Sequence, residues 1–137
     1  VEGKMTKYVV NSELSDTEWQ IENSTARYRF IADNGDKTGG PDPVEYLTGA
    51  LNSCMSISAG LLIKAHHLDV QNFKINAEAN TERLSHGMPD VDTITIKISF
   101  DSPMSHEDQD KFVKDILRVS TVYQTLKKAI KISIEWN

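Results

Sequence analysis

The stretch GGPDPVEYLTGALNSCMSISAGLLI, residues Gly39 to Ile63, starts in turn chemistry and ends as an apolar run, and it contains the chain's only cysteine, Cys54. Asp42 is a strong N-cap, Pro43 fits the first helical position, and Glu45 falls at the third, which completes a capping-box pattern. The spacing predicts a helix to about His66, about 36 Å long if straight. Leu47, Ala50, Leu51, Cys54, Ile57, Leu61 and Ala65 recur at three- and four-residue intervals and are expected to form its buried stripe. Gly49, Ser53, Ser56, Ala59 and Gly60 are small, as suits a helix lying close against a second one. This is the pattern of a central helix.

Strand patterns flank it. Before the helix, Lys7–Ser12, Trp19–Asn23 and Ala26–Ala32 are candidates, the last with Tyr28 and Phe30 alternating with Arg27 and Arg29. Ala32–Gly40 is turn chemistry and reads as a loop. After the helix, Phe73–Asn80, Ile94–Phe100 and Ile130–Trp136 each alternate apolar with polar residues, the signature of an antiparallel sheet wet on one face. Leu84–Asp90 reads as a hairpin loop. Between the last two strands, Ser105 caps one helix, with Asp108 at its third position and Phe112, Val113, Ile116 and Leu117 on the buried face. A second helix begins near Ser120 and carries Val122, Leu126 and Ala129. This order is α+β and lacks the alternation of a parallel βαβ fold.

At 137 residues the chain fits one domain, residues 1–137, with residues 1–4 ahead of Met5 read as an extraneous remnant. A domain of this size buries roughly two-thirds of its unfolded surface, enough for a core without metal or disulfide support. A composition of 39% hydrophobic and 26% charged residues is that of a globular domain. The net charge of −5 and the lack of any basic run argue against nucleic acid. The apolar run Ala50–Ile63 is shorter than a membrane span and carries Asn52 and serines, so no membrane association is expected. A lone cysteine cannot form an intrachain disulfide, which fits a reducing cytoplasm. The four histidines, His66, His67, His86 and His106, show no ligand spacing, so neither metal nor other cofactor is expected.

By position alone Cys54 reads as a small core hydrophobe. Reactivity requires thiolate, hence a helix N-terminus, a cation or a metal nearby. Cys54 lies about three turns inside the helix, too far for much help from the macrodipole. His66 is about 18 Å further along the axis, so no local Cys–His pair exists. A cation has to come from elsewhere in the fold or from another subunit.

The pattern in GGPDPVEYLTGALNSC resembles the central-helix motif of the OsmC/Ohr family, the osmotically induced and organic-hydroperoxide-resistance proteins. The resemblance extends along most of the chain: a strand with Arg29-Phe30 and a Gly/Asp loop before the helix, two strands after it, and VYQTL, Val122–Leu126, which is similar to a second signature that begins Cys-Pro in peroxidase members. It implies an intertwined homodimer with its central helices paired, and two-cysteine reduction of organic hydroperoxides. This chain departs from the peroxidase pattern at two points. The second-cysteine position holds Ser120, whose hydroxyl cannot form a disulfide but suits a helix N-cap. The family's glutamate, ten residues before the first cysteine, falls on Val44, whereas Glu45 is displaced from it by about 100° of helix.

The resemblance therefore implies a one-cysteine peroxidase. Cys54 attacks the hydroperoxide, Arg29 is the cation, Glu45 orients the site or only caps the helix, and an external thiol regenerates the cysteine. Arg29 also reads as part of a strand's wet face. Tyr46, Leu47, Leu51 and Met55 either line an apolar pocket for an alkyl peroxide or are packing residues. The alternative is a non-catalytic dimer that binds a small apolar ligand or a protein partner, with Cys54 as a packing relic. Hydrolysis by an acyl-forming Cys54 ranks last for want of a histidine base.

Overall fold

The computed structural model describes residues 3–34, 39–83 and 89–137. These divide into two compact units, Val1–Tyr46 and Leu47–Asn137.

The first unit is an antiparallel meander of β1 (Asn11–Leu14), β2 (Ile21–Ser24) and β3 (Arg29–Ala32), in that order. All three strands are shorter than the residue pattern predicts. Pairing begins at Asn11 opposite Ser24, so Lys7–Val10 is not a strand here, and Tyr8, Val9 and Val10 stay exposed. Ala26–Tyr28 is drawn into a turn instead of a strand. Thr25 N–H donates to the Tyr28 carbonyl at 2.8 Å, and the Thr25 hydroxyl accepts the amides of Arg27 and Tyr28. Such local side-chain bonds compete directly with a sheet ladder. Tyr28 is left exposed, whereas Phe30 meets the Tyr46 ring at 5.3 Å.

In the β1–β2 turn, Trp19 is exposed at φ 69°, an unusual backbone setting for a bulky residue. Beyond β3, the buried Asp33 carboxylate accepts the amides of Asn34 and Gly39, at 2.7 and 3.2 Å. This fixes both sides of the Ala32–Gly40 segment, whose residues 35–38 lie outside the described residues.

The long helix α1 runs from Pro43 to His66, as its capping chemistry predicts. The Glu45 amide donates to Asp42 Oδ1 at 2.8 Å, and the Asp42 amide donates to Glu45 Oε1 at 3.0 Å. By length and composition alone α1 is long and apolar enough to cross a bilayer, a test that the core helix of a water-soluble protein also passes.

The second unit holds the rest of α1, then β4 (Gln71–Arg83), β5 (Pro89–Asp101), α2 (His106–Val119), α3 (Thr121–Leu126) and β6 (Lys131–Trp136). Its sheet has the order β4-β5-β6. β4 and β5 pair antiparallel, Arg83 opposite Pro89; most of the expected hairpin loop, residues 84–88, lies outside the described residues. β6 pairs with β5 in parallel, Thr93 opposite Lys131 through Ile98 opposite Trp136. That corrects the fully antiparallel expectation. A strand rejoining the sheet after two helices has the crossover length a parallel pair needs.

The sheet's inner face carries Ile94, Ile96, Ile98 and Phe100, buried with Phe112, Val113 and Ile116 of α2 and with Leu51, Met55 and Ala59 of α1. Each such large side chain stabilises the fold by about 1.5–3 kcal/mol when fully buried. At one end Trp136 stacks on Phe100 at 6.0 Å and on His106 at 5.0 Å.

The expected buried stripe of α1 is corrected. Leu51, Met55, Ser58 and Ala59 are the buried residues, whereas Ala50, Ile57, Leu61 and Ala65 face outward in the single chain. Ile57 and Leu61 are 63% and 65% exposed. α1 is apolar on two faces, so periodicity alone does not say which face the sheet takes. The small residues Gly49, Ser53, Ser56 and Gly60 lie on the open side, and a Cβ added at Gly49 or Gly60 meets nothing within 4 Å.

Candidate functional site around Cys54

Cys54 is a half-buried free thiol on the seam between the two faces of α1. One turn away on the inner side are Leu51 and Ser58, both buried; on the outer side are Ala50 and Ile57, both exposed. The sulfur is thus neither sealed in the core nor fully in water, an intermediate setting that a reactive thiol requires.

Ser120 is completely buried at the junction of α2 and α3. It occupies the N-cap position of α3 without a side-chain cap bond, so its hydroxyl does not make the expected cap. Its Oγ instead lies 2.6 Å from the Ile116 carbonyl oxygen and 3.0 Å from Ser58 Oγ. The residue in the second-cysteine position therefore faces Ser58, four positions after Cys54. Ser58 was missed by sequence reading: its four-residue spacing from Cys54 was visible, but which face of α1 the sheet covers was not. Among the described residues, Asn52 Oδ1 is a buried side-chain oxygen without a hydrogen-bond partner.

Glu45 belongs to the first unit, exposed, with one carboxylate oxygen on the Asp42 amide. Arg29 is the first residue of β3, also exposed, opposite Ser24. It lines a polar groove of about 320 Å³ with Asn11, Ser12, Glu13, Glu22, Asn23 and Ser24. Among the described residues no ion pair engages Arg29 or Glu45; the ion pairs are Lys111–Asp115, Lys114–Asp110 and Arg118–Asp115, all on α2. The Lys114 ammonium, hydrogen-bonded to Asp110, holds that carboxyl below its ordinary range, and Lys111 does the same to Asp115.

Of the four suggested pocket residues, Leu51 and Met55 are fully buried core, and the Tyr46 hydroxyl donates to the Ile31 carbonyl. These observations favour packing roles for the three. Two further grooves open on the second unit. One is formed by Lys74, Asn76, Lys97, Ser99 and Glu135 on the sheet with Trp136, and the other by Leu62, His66, Met104 and Phe112 among others. Cys54 lines neither. Among the described residues no group of three His, Cys, Asp or Glu side chains is placed to hold a metal ion.

The model of a family described as OsmC-like protein matches residues 34–135, a span that includes Glu45, Cys54 and Ser120 and begins after Arg29. Among solved structures, an OsmC-like protein from Mycoplasma pneumoniae superimposes with a TM-score of 0.87 at 17% identity, covering 96% of each chain. A hypothetical protein from Aquifex aeolicus gives 0.82 at 20% identity, covering 97% of this chain and 96% of that one. The organic hydroperoxide resistance protein OhrB of Bacillus subtilis gives 0.73 at 9% identity, covering 96% and 98%. At these identities the likeness is one of fold. No curated protein matches the sequence. The fold and the family match agree: the chain belongs to the OsmC-like protein family.

Proposed function

We propose that the protein is a one-cysteine thiol peroxidase that reduces organic hydroperoxides in the cytoplasm. The observation that carries this reading is the single thiol, half-buried on α1, inside the span matched by the family. Cys54 thiolate attacks the distal oxygen of ROOH; the O–O bond breaks, sulfur is oxidised by two electrons to sulfenic acid, and the alkoxide takes a proton and leaves as ROH. One external thiol condenses with the sulfenic acid and releases water; a second displaces the mixed disulfide and restores Cys54. No second cysteine is available, because position 120 is serine. Arg29, of the same or the partner protomer, is the cation proposed to hold the thiolate. Glu45 acts mainly as a helix cap, with its second oxygen left to orient the guanidinium.

The working form is proposed to be a homodimer paired through the open face of α1. Glycine inside a helix costs about 1 kcal/mol relative to alanine, and in the single chain nothing crowds Gly49 or Gly60. A second helix approaching closely gives both a reason. A monomeric mass at micromolar concentration would count against this pairing.

The test is intact mass after mixing reduced protein with near-stoichiometric organic hydroperoxide and a sulfenic-acid trap. Rapid, complete trapping that is lost in Cys54→Ala and slowed in Arg29→Ala is expected. An unmodified mass at long times refutes the reading. It would favour a second one, a non-catalytic dimer binding a small apolar ligand or a protein, which the hydroxyl at position 120 and the capping role of Glu45 also support.

A further inference from the structure

The second unit carries a groove of about 280 Å³ between the end of α1 and one face of α2. Leu62 and His66 come from α1, one turn apart, and Asp108, Lys111, Phe112 and Asp115 from α2, at the three- and four-residue spacing of a single helix face. Leu68 and Met104, from the segments beside these helices, complete the lining. Both segments are tied down: the Leu68 amide donates to the Ile63 carbonyl at 3.0 Å, and the Met104 carbonyl accepts Gln109 Nε2 at 2.8 Å. Phe112 is buried and Leu62, Leu68 and Met104 are half-buried, so the floor is apolar and the charges stand at the rim. Those charges are unequally served. Lys111 Nζ lies 2.9 Å from Asp115 Oδ2, and Arg118 Nη2 lies 3.4 Å from Asp115 Oδ1, which leaves Asp115 and Lys111 satisfied by one another. Among the described residues, the Asp108 carboxylate and the His66 imidazole have neither an ion-pair nor a hydrogen-bond partner.

We propose that this groove binds a small primary amine, its ammonium donating to Asp108 and His66 and its short aryl or alkyl body lying on Leu62, Leu68, Met104 and Phe112. The two unpartnered rim groups are both acceptors: the carboxylate carries a full negative charge, and a neutral imidazole offers one ring nitrogen. The C-terminal end of α1, where His66 sits, adds the partial negative charge of its last carbonyls. An ammonium has three donors, so two reach the protein and the third reaches water. The bond to Asp108 is charge-assisted, the stronger kind. The volume lies near the lower end of the usual range for ligand pockets, which limits the body to a small one. A metal ion is a poor occupant, because His66, Asp108 and Asp115 are not placed to hold one. Cys54 does not line the groove, so the proposal stands whether or not Cys54 reduces peroxides.

The experiment is a titration of the full chain with 2-phenylethylamine, followed by backbone amide chemical shifts. Two probes with the same body serve for comparison: 3-phenylpropionate, which carries a negative charge, and 2-phenylethanol, which carries none. Saturating shifts confined to the groove segments, Leu62–Leu68 and Met104–Asp115, are expected with the amine, at an affinity at least about tenfold above either comparison probe. Asp108→Asn is expected to weaken amine binding about tenfold, the loss of one charge-assisted bond. Glu107→Gln changes the net charge equally on the same turn of α2, outside the groove, and is expected to leave the affinity in place. His66→Lys sets a competing ammonium at the rim and is expected to weaken the amine further. Equal binding of the amine and either comparison probe overturns the proposal, as does tighter binding of the carboxylate. Equal effects of Asp108→Asn and Glu107→Gln overturn it too, because the attraction is then one of net charge only. Absence of saturation at about 10 mM amine, or shifts centred outside the two segments, likewise overturns it.

Discussion

Replacing both Ser58 and Ser120 by cysteine, in a Cys54→Ser background, is expected to create a disulfide that the native chain lacks. The two hydroxyl oxygens are 3.0 Å apart and both residues are buried, so sulfurs bonded at about 2.05 Å require only a small approach. The positions are 62 residues apart. Closing a loop of that length removes about 14 cal/mol/K of unfolded-state entropy, about 4 kcal/mol at 25 °C. Against this stand two lost hydroxyl hydrogen bonds, at about 1 kcal/mol each. The oxidised variant is therefore expected to exceed the native chain by about 2 kcal/mol, and its own reduced form by up to about 4. In urea, with a slope of roughly 1–3 kcal/mol/M, the gain over the native chain appears as a midpoint shift of about 1 M. Intact mass after mild oxidation of the folded protein reads bridge formation, and urea unfolding with and without reductant reads the stabilisation. A bridge that forms only after unfolding, or equal midpoints with and without reductant, would refute the placement of position 120 against position 58.

Met55→Ala, which empties a fully buried site, is expected to destabilise the chain by about 2–5 kcal/mol in urea unfolding. Gly60→Ala is expected to stabilise a dissociated protomer by about 1 kcal/mol through helix propensity and to weaken the proposed dimer; analytical ultracentrifugation that shows undiminished pairing counts against the α1 contact. The lowered Asp110 and Asp115 carboxyls contribute stability above the ordinary carboxylate range that is lost as pH falls through their lowered values. The raised Lys114 ammonium works oppositely, present below its ordinary value and lost as pH rises through the raised one. Asp115→Asn is expected to remove part of the acid-side slope in urea midpoints measured against pH, with the difference shrinking in salt because the partner ammonium groups are exposed.

The sequence was most legible where one local interaction decides the outcome. Asp42, Pro43 and Glu45 mark the start of α1 because each satisfies a specific backbone group, and the alternating isoleucines of β5 and β6 name their buried face directly. It was least legible where two arrangements satisfy the same pattern. α1 has two apolar faces, and the sheet takes the one with Met55, not the one with Ile57 and Leu61. The parallel pairing of β6 depends on chain routing through α2 and α3, which alternation does not record. Cys54 and Ser120 were found by motif, but the contact of Ser120 with Ser58 depends on how α2 ends. In the first unit, Thr25 bends Ala26–Tyr28 out of β3 by hydrogen bonds that a strand pattern does not encode.

The two tryptophans are divided between the units, and this gives each unit an optical label of its own. Trp19 sits half in water on the first unit's turn, and Trp136 stacks on Phe100 and on His106 in the second. Their fluorescence should differ from the start, Trp19 emitting to the red and Trp136 to the blue and quenched by its imidazole neighbour. Trp19→Phe and Trp136→Phe each leave one reporter. Comparing the two unfolding curves then tests whether the units melt together or one precedes the other. Because the division falls inside α1, between Tyr46 and Leu47, coincident curves would make that helix the shaft through which both unfold as one.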